Sequence, residues 1–243
     1  MSTVSYSEYA AVIRKEGEAI LAAARFGVED DVPTCGGWKV GDLLTHVASV
    51  YRRAATVVGE RATEEVRWTP PPADVADPID YFSTALDDLV DALTSADPDT
   101  PVWNWSGQDQ VAAFWARRMA HESAVHRYDA QRAHDVAQPI DADLARDGLD
   151  EMVDVLLPRI VTRDDVKLPE ATYAFATTDD DSWAVRLGAE GVQRLDVAKE
   201  PDVTVRGTPS ALLLAAYNRV RWTSLEADGD LSLLEQWSAL LKF

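Results

Sequence analysis

Three side chains of the kind that bind divalent metals recur in two runs of this chain: His46 in TCGGWKVGDLLTHV, and Glu122 with His126 in RRMAHESAVHRYDA. Helix positions four apart lie about 40° from each other around the axis, so Glu122 and His126 project the same way and one helix can offer two ligands. His46 lies in a separate helical run. Two imidazoles and one carboxylate suit a catalytic zinc that keeps one coordination position open. The chain therefore reads first as a metalloenzyme.

Each member of that set also has an ordinary reading. An acid and a histidine four apart are often a solvated pair on a helix surface, and His46 alone could be a satisfied histidine at the core edge. The run HESAVH is not the zincin motif, which needs its two histidines four apart. His121 and His126 are five apart, about 140° around a helix, so His121 is expected to be exposed or hydrogen-bonded elsewhere. Cys35 has no basic neighbour to lower its pKa, and a small turn residue is expected there, without catalysis. Asp129, three residues past His126, could orient an imidazole or pair with Arg132. Trp38, Trp103, Trp105 and Trp115 supply core, with some as pocket lining. Arg219 and Arg221 could hold an anionic substrate, or could be solvated arginines favoured at a helix C-terminus. No phosphate-cradling glycine loop, CxxC pair or Ser-His-Asp signature is present.

The elements that must position these groups are mostly helical. Tyr9, Val12, Ile13, Ala19, Ile20 and Ala23 give one apolar face that ends near Gly27. VPTCGGW reads as a turn. Val40, Leu43, Leu44, Val47, Val50 and Tyr51 give a second helix, from Lys39 to about Gly59, with His46 beside its stripe. The proline-rich WTPPPADVADP is an exposed connection. Further helices are predicted over about 79–93, 110–134 and 142–157, the last stopping at Pro158. Four long helices suggest a bundle, a fold that often builds metal sites from facing helices. After about Lys167 the pattern changes to short segments, 171–176, 183–187, 192–197 and 203–205, which read as antiparallel strands. Helices from Thr208-Pro209 to Tyr217 and over about 231–241 close the chain. The expectation is a mainly α protein: a bundle over 1–165, then a small α+β domain over 166–243.

Composition narrows the partners. The chain has 243 residues, and its net charge of −19 opposes binding to phosphate backbones or anionic lipid, which need a basic face. The first twenty residues have no apolar stretch after a basic start and no run of eighteen apolar residues occurs, so a cytoplasmic protein is expected. The single cysteine excludes an internal disulfide and a Cys-rich metal site.

VPTCGGWKVGDLLTHV, RRMAHESAVHRYDA and the later PDVTVRGTPSALLLAAYNRVRW together resemble the mycothiol-dependent maleylpyruvate isomerase family. The resemblance implies a DinB-like four-helix bundle followed by a domain similar in shape to sterol carrier proteins. It places the family's zinc ligands on His46, Glu122 and His126. The family's C-terminal arginine falls on Arg219, expected to act on the substrate, with Arg221 beside it the candidate for holding the thiol. The implied cofactors are a divalent metal, zinc being the expectation, and mycothiol or a similar thiol. The implied partners are that thiol and a small anionic electrophile. The implied reaction is cis–trans isomerisation by reversible thiolate addition; thiol S-transfer to other electrophiles, or a non-catalytic ligand-binding bundle, are the alternatives.

Overall fold

The computed structural model of the chain describes residues 4–164, 167–178 and 181–241. They form two compact units, Met1–Gln138 and Pro139–Phe243.

The first unit is a four-helix bundle of α1 (Tyr6–Ala24), α2 (Val40–Gly59), α3 (Pro78–Ser95) and α4 (Ala112–Arg132). Local signals set the helix starts. Ser5 and Glu8 form a reciprocal capping box at α1, and the Asp77 carboxylate accepts from the backbone of Ile79 and Asp80 at α3. The apolar stripe read for α2 is its buried face: Val40, Leu43, Leu44, Val47 and Tyr51 are fully buried. Around the bundle α1 packs on α3 and α4, and α2 on α3 and α4. Gly17 permits the α1–α3 approach, because a Cβ there would stand 2.7 Å from Leu86. The proline-rich stretch between α2 and α3 is a connection without helix or strand, as expected.

The burial of α4 is chemically unusual. Arg118, His121, His126, Arg127 and Asp129 are all buried along it. Two buried polar contacts tie it to its neighbours: Arg127 Nε donates to Glu16 Oε2 of α1 at 2.7 Å, and Ser123 Oγ lies 2.6 Å from Tyr51 Oη of α2.

The second unit begins earlier than the expected 165/166 boundary, because α5 (Ala142–Glu151) packs on α7 (Pro209–Ala216) of the same unit. A hydrogen bond from Ile140 N to Ser210 Oγ at 2.8 Å joins the two segments. Nor does the helix stop at Pro158. A π-turn over Met152–Leu156 follows α5, with Leu157 N–H donating to Met152 O, and α6 (Leu157–Asp164) continues the chain. The wider turn relaxes the α-helical ladder just where proline can supply no donor and crowds the preceding turn.

Five strands make one sheet in the order β3-β2-β1-β4-β5: β1 Ala171–Thr177, β2 Ser182–Gly188, β3 Gly191–Leu195, β4 Val203–Gly207 and β5 Glu226–Gly229. The wholly antiparallel expectation fails at one pair, since β4 runs parallel to β1. After the β1-β2-β3 meander the chain crosses to the free edge of β1. There Asp202 fixes the register, its carboxylate accepting from Thr172 N at 2.7 Å and its N–H donating to Thr172 O at 2.9 Å. β5 escaped the sequence reading because EADG has no β-branched or alternating apolar pattern; pairing with β4 creates it. Gly229 is required in β5, with φ of 97° and a would-be Cβ 2.2 Å from Asp202 O.

α8 (Ser232–Leu240) covers the sheet through Trp237, fully buried against Tyr173 and Phe175 with ring centroids 5.2 and 5.0 Å away. Its indole Nε1 donates to Ala216 O at 3.2 Å. Trp237→Ala is expected to destabilise this unit by about 3–5 kcal/mol through cavity formation, read as a lower urea midpoint.

Candidate metal centre

The bundle brings together the three residues singled out from sequence. His46 on α2 faces Glu122 and His126 on α4, and one potential ligand atom from each lies within 4.8 Å of the others. Glu122 Oε1 is 3.2 Å from His126 Nε2 and 3.8 Å from His46 Nε2. The His46 and His126 rings sit edge to face with centroids 5.5 Å apart. His126 and Glu122 are largely buried, whereas the His46 side chain is 32% exposed, so the cluster has a solvent side.

Each ligand-type group is held from behind. His126 Nδ1 is 2.9 Å from Asp129 Oδ2, and Asp129 is fully buried. Asp129 thus takes the imidazole-orienting role, while Arg132 pairs instead with Asp135. Arg118 Nη2 donates to Glu122 Oε2 at 2.7 Å. The Trp38 ring packs 4.8 Å from the His46 ring, tilted by 55°. Trp38 is placed by a tight loop in which Val32 N donates to Trp38 O and Trp38 N to Cys35 O, with Gly37 at φ 84°. The same loop sets Cys35 Sγ 3.5 Å from Asp129 Oδ2. Cys35 is half-buried and belongs to the setting of the centre, which the sequence reading did not foresee.

Arg118 was also missed. Its signal was present, since Arg118, Glu122 and His126 follow one another at intervals of four along α4. His121 is neither exposed nor part of the cluster. It is fully buried, with its ring 6.4 Å from that of Tyr9 on α1.

The electrostatics couple the acid to the base. Burial pushes the Glu122 carboxyl up, but the His126 charge, hydrogen bonds to both histidines and Arg118 outweigh it and hold it well below the usual carboxylate range. Burial also pushes His126 down, yet the Glu122 charge and the Asp129 hydrogen bond overcome this and raise it from 6.5 to about 9. A raised histidine pKa stabilises the fold below the unfolded value and loses that contribution as pH climbs through the folded one. Chelator-treated protein is therefore expected to melt at a lower temperature at pH 10 than at pH 6.5, and His126→Gln should flatten that difference. A metal held by this cluster would compete with the proton for His126, so its affinity is expected to rise over the same interval.

Arg219 and Arg221 lie in the second unit. α7 ends in a left-handed cap at Asn218, φ 61°, from which Arg219 N–H donates back to Leu214 O at 2.8 Å. Arg219 Nη1 donates to Tyr217 O at 2.9 Å, while Arg221 is exposed and its carbonyl accepts from Ser224.

Fold and site together define a helical bundle with a two-histidine, one-carboxylate cluster, followed by an α+β domain. The family profile for the mycothiol maleylpyruvate isomerase N-terminal domain matches residues 12–131, and that for the corresponding C-terminal domain matches residues 143–236. The chain belongs to the mycothiol-dependent maleylpyruvate isomerase family. Both matches leave the junction near Gln138. In fold it is similar to the crystal structure of a mycothiol-dependent maleylpyruvate isomerase, with 14% identity, a TM-score of 0.66 and 93% of each chain covered. A histidine-to-alanine mutant of that enzyme gives 12% identity, a TM-score of 0.67 and the same 93% coverage of each chain. No curated protein matches the chain in sequence. Among the described residues, no helix is long and apolar enough to cross a membrane.

Proposed function

We propose that this chain is a cytoplasmic, metal- and mycothiol-dependent enzyme that isomerises a small unsaturated keto acid of the maleylpyruvate type from cis to trans. The observation that carries the reading is the convergence of His46, Glu122 and His126, each braced by a further side chain.

The donor set fits a divalent metal, with zinc the first choice for two imidazole nitrogens and a carboxylate oxygen. His46 Nε2, Glu122 Oε1 and His126 Nε2 would hold it. When bound, metal and thiol together supply a thiolate nucleophile at neutral pH, whose reversible addition to an activated double bond frees that bond to rotate. The protein's own groups then have distinct tasks. Asp129 fixes the His126 ring with Nδ1 directed to the carboxylate, leaving Nε2 as the metal-facing atom. Trp38 packs against the His46 ring and restricts its swing, while His46 keeps a solvent-exposed side. The family resemblance assigns Arg219 to a substrate carboxylate and the negative charge that develops on the carbonyl oxygen, and Arg221 to the thiol. Local cations matter because the overall charge of −19 repels an anionic substrate.

The test is elemental analysis of the purified protein, followed by conversion of maleylpyruvate to fumarylpyruvate with and without mycothiol. Near-stoichiometric metal and thiol-dependent conversion are expected. A folded protein that takes up no metal after reloading refutes the proposal. Metal with thiol consumption and a stable thioether product would replace isomerisation by S-transfer.

A further inference from the structure

The structure assigns Arg118 as a positioning residue that makes Glu122 a one-oxygen ligand, an inference that rests on reading His46, Glu122 and His126 as the metal centre. Arg118, Glu122 and His126 stand one turn apart on one side of α4. The Arg118 side chain is only 6% exposed, and its Nη2 donates to Glu122 Oε2 at 2.7 Å. The other oxygen, Oε1, faces the histidines, 3.2 Å from His126 Nε2 and 3.8 Å from His46 Nε2. The guanidinium has thus divided the carboxylate between two tasks.

A carboxylate can offer a metal one oxygen or both. Here chelation through both would require Oε2 to leave a part-buried, charge-assisted hydrogen bond. Glu122 is therefore held to a single donor atom, so three residues occupy three positions and room remains for an exogenous thiol. Arg118 also offsets part of the negative charge that Glu122 brings to the centre, which keeps the bound ion more electron-demanding. Neither effect is available from a solvated arginine on the helix surface.

Cobalt(II), whose visible absorption reports coordination number, serves as the probe metal. The unsubstituted chain should give the intense bands of a four-coordinate ion. Arg118→Met keeps the length of the side chain and removes the fork. It should weaken those bands several-fold as the second oxygen joins, and lower cobalt affinity by roughly 10–100-fold, the range for lost outer supports. Cobalt bound with identical spectra and affinity in both proteins overturns the inference and leaves the metal centre standing. No cobalt on the unsubstituted chain overturns both. Should Arg118→Met fail to fold, a crystal structure of the cobalt-loaded unsubstituted chain decides the matter. One Glu122 oxygen on the ion with Oε2 still on Arg118 supports the assignment, and both oxygens on the ion refute it.

Discussion

Replacing His46 with alanine is expected to remove the metal and cut thiol-dependent kcat/KM at least about a thousandfold, while thermal stability stays almost unchanged. The magnitude follows from the several kcal/mol that a metal contributes to stabilising developing charge, at about 1.4 kcal/mol per factor of ten. The small stability effect follows from location, since His46 is the most exposed of the three groups and its loss strands no buried partner. His126→Ala should abolish metal and activity equally but carry a fold penalty of about 3–5 kcal/mol. It removes the charged partner of Asp129, a fully buried carboxylate that keeps its contact with Cys35 Sγ. Measuring metal content, turnover and melting temperature on both variants separates a reactive centre from a structural one. A structural metal would make His46→Ala as destabilising as His126→Ala.

The second large effect lies on the opposite side of α4. Arg127→Ala should destabilise the bundle by about 3–5 kcal/mol, because Glu16 would remain as a buried charge without its guanidinium. Arg127 also donates to Gln131 Oε1 at 2.9 Å and to Gln138 O, so the substitution loosens the chain where it leaves the bundle. For a chain of this size the loss corresponds to a melting shift on the order of 10 °C, measurable by far-UV circular dichroism. The double variant Glu16→Leu, Arg127→Met should recover most of it, since replacing both members of a buried pair avoids the stranded charge. If single and double variants melt together, the pair is not what holds α1 to α4.

Where a residue's role depends on spacing along one element, the sequence was informative. The apolar periodicity of Val40 to Tyr51 placed α2 to within a residue, and the interval between Glu122 and His126 put both on one face. The approach of His46 was an inference about two helices, which the four-helix packing then supplied. Features that depend on contact between distant segments were not legible. β5 exists because β4 offers an edge, and β4 is parallel to β1 because the chain crosses the sheet after β3. Pro158 looked like a stop because the rule for proline assumes an α-helical ladder, which the π-turn at Met152–Leu156 replaces. Arg118 and Cys35 were passed over for a different reason. Their importance comes from the side chains they touch, Glu122 and Asp129, and neither residue type alone announces that.

The allegiance of α5 bears on how the molecule can be divided. A protease or an engineer separating the halves at 165/166, where hydrophobic periodicity gives way to strands, would carry away the helix that covers α7. The severed C-terminal piece would expose the apolar surface of Leu212 to Ala216 and be prone to aggregate. A cut between Gln138 and Pro139 leaves that cover in place and keeps α1 to α4 together on the other fragment. The short stretch after α4 is therefore the seam at which a recombined or fused descendant of this chain would best be joined.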